Sequence, residues 1–297
     1  MGRAAAHLIA ATAVAVLLAA AAPASGAFPG RNGVVGFSWF SLQEPELGPP
    51  ASERAIRTVS PSTSAVQTVV GCRELDGVPV AGTCSIPVYA NPAFSPDGRL
   101  IAFDAGPRLA LVRPDGSGLR LLPTHGADDG EPAFSPPGGR LAFGSDGDVW
   151  VSSRDGSGAR RIVAGGSGPA WSTRGWIAFV RRGQVWRVRP GGNGLRRLTG
   201  RGGTSPAWSP HGTKLAFIRR GGVWTMDANG GHLRRVPRAS AVDVAWSPDG
   251  RRFAVHVFDS GVWTLRTDGT DTRQLVSGGV NATSSFDAGG VDWQPLR

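Results

Sequence analysis

The sequence predicts an all-β fold, a six-bladed β-propeller of four-stranded antiparallel blades, on three observations. An aromatic residue before a tight turn returns at Phe94, Phe134, Trp171, Trp208, Trp246 and Trp293, at spacings of 40, 37, 37, 38 and 47 residues. Self-similarity at a period of ~40 residues marks a propeller or a solenoid. Within each unit the apolar residues form short runs between turns, not the three-and-four spacing of a helical repeat, so the unit is all-β. Composition agrees, because 44 Gly and 23 Pro supply turns and most of the 10 Trp recur at repeat positions.

The unit around Trp208 reads as four strands. Pro206 to Ser209 is small and apolar enough for a crowded centre, and Leu215 to Ile218 forms the second strand. Between them lies Ser209-Pro210-His211-Gly212, written Ser95-Pro96-Asp97-Gly98 and Ser247-Pro248-Asp249-Gly250 in sister copies. Pro presets φ and Gly accepts a left-handed conformation, which predicts a three-residue hairpin turn. Gly221-Gly222 turns the chain into Val223 to Met226, and a fourth strand ends near Val236. The sister turns Asp115-Gly116, Asp155-Gly156 and Asp268-Gly269 are strong hairpin signals. A four-stranded meander at this period is a propeller blade.

Blades therefore begin near residues 91, 131, 168, 205 and 242, and the chain ends supply a sixth. Phe28 to Phe37 resembles the turn and second strand with no first strand before it. Gly290 to Pro295 resembles a first strand with nothing after it. Joined, they close the ring and remove its open edges.

Arg3 and His7 precede an apolar run from Leu8 to Ala22 and a small-residue end at Pro23 to Ala27. That is the order of a secretory signal, residues 1–27, with cleavage after Ala27. The run is short for a membrane span, so none is expected after cleavage. Residues 28–297 are expected to form one ring domain, monomeric and exported to the periplasm, cell wall or exterior. Residues 38–54, with Pro45, Pro49 and Pro50, read as a long surface loop. Cys72 and Cys84 are the only cysteines, and in an exported chain they are expected to pair. Such a loop closure contributes roughly 3 kcal/mol. Asn281-Ala282-Thr283 is taken as a chance sequon.

The blade sequences Pro92 to Phe103 and Val242 to Gly250 resemble the WD-like propeller repeat of the TolB family, and the likeness recurs from residue 28 to 297. The resemblance implies a six-bladed propeller of the bacterial envelope, often a protein-binding module. The additional N-terminal α/β domain of TolB is not expected here, because the first blade starts directly after the signal.

No catalytic residue is predicted. Gly165-Gly166-Ser167-Gly168-Pro169 misses the nucleophile-elbow pattern at its last position, and neither HExxH nor a P-loop occurs. His125, His211, His232 and His256 fall at unrelated blade positions, so no metal site is read from them. Three residues before each anchoring aromatic stand Asn91, Glu131, Gly168, Ser205, Asp243 and Gly290, expected to ring one mouth of the channel. Glu131 and Asp243, with Asp128, Asp129 and Asp292 nearby, either hold a divalent cation through oxygen ligands or stand as solvated rim charges. The second is expected, because the acids are not repeated blade by blade. No cofactor is expected.

The formal charge is +10, and Arg174 to Arg238 holds fourteen basic residues with Asp227 as the only acid. The doublets Arg181-Arg182 and Arg219-Arg220 occupy the same second-to-third-strand turn of adjacent blades, expected on the face of the channel mouth. The doublets at residues 160, 196 and 234 introduce outermost strands, where charge blunts edge pairing. The expected function is an exported, non-catalytic module that binds a protein or an anionic envelope polymer, not nucleic acid, through one face of the ring. The rival is a lyase or glycan hydrolase with a cation at the mouth.

Overall fold

In a computed structural model, residues 27–43, 51–75, 78–79, 89–123, 125–258, 260–277 and 290–296 are described. The segment before Ala27, Cys84 of the expected disulfide and the sequon at Asn281 lie outside them.

The described strands form six separate antiparallel sheets. The N-terminal blade contains β1 (Arg31–Gln43), β2 (Ala51–Val59), β3 (Val66–Leu75) and β4 (Val78–Pro79). Blade 2 is β5 (Tyr89–Phe94), β6 (Ile101–Ala105), β7 (Leu109–Val112) and β8 (Arg120–Leu121). Blade 3 is β9 (Asp129–Phe134), β10 (Arg140–Ser145), β11 (Asp148–Ser153) and β12 (Arg160–Val163). Blade 4 is β13 (Ser167–Trp171), β14 (Ile177–Arg181), β15 (Gln184–Val188) and β16 (Arg196–Arg197). Blade 5 is β17 (Thr204–Trp208), β18 (Lys214–Arg219), β19 (Gly222–Asp227) and β20 (Arg234–Ser240). Blade 6 is β21 (Asp243–Trp246), β22 (Arg252–Val257), β23 (Gly261–Arg266) and β24 (Arg273–Ser277).

The last strand, β25 (Val291–Leu296), pairs antiparallel with β1 and supplies the inner strand of the N-terminal blade. Each inner strand packs on the next, β5 on β9, β13, β17, β21, β25 and back to β5. The ring is closed as the chain ends implied.

The repeated aromatics are the wedges between blades, and all six are buried. Trp208 Nε1 donates to Ala170 O of the preceding blade at 3.1 Å, and Trp246 Nε1 to Ala207 O at 3.2 Å. A buried indole N–H needs such a partner, so the wedge also fixes the spacing between blades.

The turn after the aromatic keeps the expected three-residue form in blade 4, where the Ser172 N–H pairs with Trp176 O, and is one residue longer in blades 2, 3, 5 and 6. Four residues, Pro96 to Arg99, lie between Ser95 and Leu100, whose main chains pair (Ser95 N–H to Leu100 O, 2.9 Å). The serine completes the turn: Ser95 Oγ accepts the Leu100 N–H and donates to Asp97 Oδ1, which accepts the Arg99 N–H. Ser247 and Asp249 repeat this set.

The expected long loop at residues 38–54 is corrected. Strands β1 and β2 pair from Val35 with Val59 out to Gln43 with Ala51. The inner strand β25 accompanies β1 only as far as Phe37. From Ser38 onward the hairpin, joined by β3, projects about 20 Å beyond the inner strand at ~3.3 Å per residue. The blade also gains a fifth strand, β4, on its outer edge.

Candidate functional site at the axial mouth and the arginine turns

The inner strands start on one face of the ring, and in four of them a residue one or two places into the strand carries a repeated backbone feature. Asn91, Glu131, Gly168 and Ser205 adopt φ of 56°, 55°, 57° and 47°. Register breaks accompany them in β5, β9, β13 and β17. A bulge with a left-handed residue turns these positions toward the neighbouring blade. Blade 6 lacks the bulge, and Asp243 pairs in unbroken register with His256.

Of the acids expected as solvated rim charges, Asp128 is exposed, whereas Glu131 is half-buried and Asp129, Asp243 and Asp292 are buried, which corrects the expectation for these four. Asp104 Oδ1 accepts the Glu131 N–H at 2.7 Å, and Glu131 Oε2 accepts the Gly168 N–H at 2.6 Å. Asp243 Oδ2 accepts the Val291 N–H at 2.8 Å, and Asp292 Oδ2 the Phe94 N–H at 2.7 Å. In every case the partner lies in the following blade, so the carboxylates clasp the inner strands together.

Burial pushes Glu131 and Asp292 up to about 7. It also holds Asp104 and Asp243 well above the usual carboxylate range, with the Glu131 charge adding to the effect on Asp104. Each clasp is thus opposed by desolvation and supported by an N–H donor.

The structure separates the two predicted acids. Glu131 belongs with Asp104 and Asp128 between blades 2 and 3, whereas Asp243 belongs with Asp292 between blade 6 and the N-terminal blade. Among the described residues, no three His, Cys, Asp or Glu side chains converge to hold a metal ion. A cleft of about 350 Å³ opens at the first group, lined by Asn91, Asp104, Asp128, Glu131 and Ser145. Asn91 Nδ2 donates to Asp104 Oδ2, while Asn91 Oδ1 and Ser145 Oγ are buried without a protein partner.

Asp104, Ser145 and His256 escape the sequence reading because each occupies its second-strand position in one blade alone. Hairpin register was the available signal, since it sets His256 directly opposite Asp243. Burial lowers the His256 pKa to about 4 and keeps the ring neutral.

The arginine doublets occupy equivalent two-residue turns. Arg182-Gly183 (φ 50° and 65°) and Arg220-Gly221 (φ 51° and 68°) join the second and third strands, and Asp146-Gly147 (49° and 77°) does so in blade 3. Two successive left-handed residues make the type I′ turn that suits a twisted hairpin. The turn glycine is held against the start of the next blade, because Gly147, Gly183 and Gly221 carbonyls accept the N–H of Gly166, Gly203 and Ala241. This places both doublets on the face of the channel mouth.

Within each doublet the two arginines differ. Arg181 lies over Trp186 at 5.5 Å and Arg219 over Trp224 at 4.9 Å, half-buried, whereas Arg182 and Arg220 are exposed. Exposed charge on this face differs between blades: blade 2 brings Arg108, blade 3 Asp128 and Asp146, and blades 4 and 5 the arginine turns. The projecting hairpin of the N-terminal blade rises from the same face.

Six closed blades with an inner-strand mouth define a six-bladed β-propeller of TolB-like fold. Among solved structures, the chain is similar to TolB from Acinetobacter baumannii (TM-score 0.61, 18% identity, 88% of this chain and 66% of that one). It is also similar to a putative TolB from Agrobacterium tumefaciens (TM-score 0.61, 15% identity, 89% and 99%). A nidogen/laminin complex offers a further likeness (TM-score 0.59, 12% identity, 88% and 98%). The chain thus spans about two thirds of the first TolB. No family model and no curated protein matches the sequence. Among the described residues, no helix is long and apolar enough to cross a membrane.

Proposed function

We propose that this protein is an exported, non-catalytic binding propeller that engages a protein or an anionic envelope polymer through the face on which its inner strands begin. The observation that carries the reading is the pair of exposed arginine turns, Arg182 and Arg220, set side by side on adjacent blades and backed by Arg181 and Arg219 on tryptophan. Fixed cations on a rigid scaffold attract an acidic partner with little ordering cost. The exposed Asp128 and Asp146 of blade 3 orient that partner by repelling its negative end. The likenesses to TolB, and to a chain of a nidogen/laminin complex, support a binding role.

The test is a crosslinked pull-down from envelope extract at low and high salt with wild type and the R182S/R220S double variant. The expected result is a partner retained at low salt, lost at high salt, and bound roughly tenfold more weakly by the variant. Equal capture by both proteins at low salt would remove the basic turns from the interface.

The cleft at Glu131 favours a second reading, a channel-site lyase or glycan hydrolase. Its support is a carboxyl group poised at about 7 beside the buried, unpartnered Asn91 Oδ1 and Ser145 Oγ. Elemental analysis of chelator-free protein with a glycan turnover screen tests it. A stoichiometric divalent metal and turnover lost in Glu131→Gln would favour the enzyme.

A further inference from the structure

Blade 4 carries a cluster of positive charge that its own residues leave uncompensated. Arg187 on β15 and Arg196 on β16 are direct cross-strand partners. Like charges in that relation destabilise a strand pair. At this outer-strand position blades 2, 3, 5 and 6 have no such pair, since the first residue of the outer strand faces Leu111, Val151, Thr225 or Thr264. Arg189, just past β15, adds a third cation. The Arg187 and Arg189 guanidiniums lie over the Trp176 ring at 4.2 and 3.7 Å. Partial burial and repulsion from Arg196 and Arg189 hold the Arg187 pKa below its ordinary value.

The hydrogen bonds in the cluster go to main-chain carbonyls. Arg187 Nη1 donates to Ala228 O at 2.6 Å, and Arg189 Nη1 to Arg174 O at 3.0 Å and Gly175 O at 3.3 Å. Arg187 Nε is buried without a protein partner. Among the described residues, the ion pairs involve other arginines and none of these three.

Blade 6 meets a comparable crowding and resolves it with its own carboxylate. Arg252 and Arg266, the latter the counterpart of Arg189, are cross-strand partners there. Asp271 accepts from both, Arg252 Nη1 at 2.5 Å and Arg266 Nε at 3.5 Å. Asp271 stands two residues before the outer strand at φ 50°; in blade 4 that place is Gly194 at φ 70°. The left-handed backbone is kept and the carboxylate is gone. A Cβ on Gly194 would lie 3.1 Å from the Trp176 ring and 3.6 Å from Arg189 Cγ.

We propose that blade 4 binds an external oxyanion, a carboxylate or phosphate group, beside Gly194, with Arg187 and Arg189 as its ligands and Arg196 at the rim, where Asp271 stands in blade 6. The bound group neutralises the accessible guanidinium edges and relieves the repulsion among three guanidiniums. The site lies at the end of β15 opposite the Arg182 turn, so it is separate from the binding face above and stands or falls independently of it.

Thermal unfolding of the full chain in chloride, inorganic phosphate and glutarate, at matched pH and ionic strength, tests the proposal. Wild type is expected to gain Tm saturably with phosphate, glutarate or both, and the effective anion identifies the ligand chemistry. Arg187→Thr copies the residue of blades 5 and 6, and Gly194→Asp supplies the blade 6 carboxylate; both remove the saturable gain. Arg196→Gln, on the exposed rim, keeps the fold if the other two disturb it and weakens the apparent affinity by roughly fivefold. An anion response equal in wild type and the folded variants, or none in wild type, overturns the proposal.

Discussion

Asp104, Glu131, Asp243 and Asp292 each hold a main-chain N–H of the next blade from a buried position, and this links ring stability to pH. Their native pKa values are raised, Glu131 and Asp292 to about 7, so between pH ~4 and 7 the folded state binds more protons than the unfolded state. Their contribution is fully present below the unfolded carboxylate range and is lost as pH rises through the raised values, about 7 for Glu131 and Asp292. His256, lowered to about 4, acts in the opposite direction, but it is one group against four. The expected outcome is a higher Tm at pH 5 than at pH 8. Asp292→Asn flattens the profile and His256→Gln steepens it; a Tm that climbs steadily from pH 5 to pH 8 would contradict the assignment. Glu131 and Asp243 were visible in the sequence as residues standing three places before an anchoring aromatic. Their burial was not, because a residue at that position turns to water or to its neighbour according to how the adjoining blade packs.

Among the elements, the turns show how far a local rule reaches. Ser-Pro-Asp-Gly encodes a reversal whatever surrounds it, through Pro, a left-handed Gly and the serine hydroxyl. The cost of altering it is set elsewhere: a Cβ at Gly98, at φ 68°, would stand 2.4 Å from Pro295 O of the closing strand. Gly98→Ala is therefore expected to cost roughly 2 kcal/mol or more in denaturant unfolding, from strain and from displacing β25. A loss below about 0.5 kcal/mol would mean that the closing strand yields freely. The hairpin of β1 and β2 shows the opposite case. Pro45, Pro49 and Pro50 suggested a loop from residue 38, yet pairing continues out to Gln43 and Ala51. The prolines lie outside the described residues, and the loop was too broadly drawn at residues 38–43 and 51–54.

For the molecule as a whole, closure is the central feature. β25 brings Trp293 into the core of the N-terminal blade and the Asp292 clasp to blade 2. Ala27 and Phe28 cross the opposite end of the ring. Ala27 donates its N–H to Trp208 O and packs with blades 5 and 6, and Phe28 packs with blades 2 and 3. Ending the chain at residue 289 removes one inner strand and exposes two edges, and an aggregated, non-cooperatively melting product is expected by size exclusion and circular dichroism. A cooperative monomer would show that five complete blades suffice. Phe28→Ala is expected to cost about 3 kcal/mol, read from urea unfolding. The number of blades, the order of their strands and the composite closing blade are legible in the sequence, because repeat period, turn chemistry and apolar alternation are local and recur. The clasping carboxylates and the cleft at Ser145 follow from contacts between blades. Those contacts join residues tens to hundreds of positions apart and differ from one blade to the next, so no repeated local signal announces them.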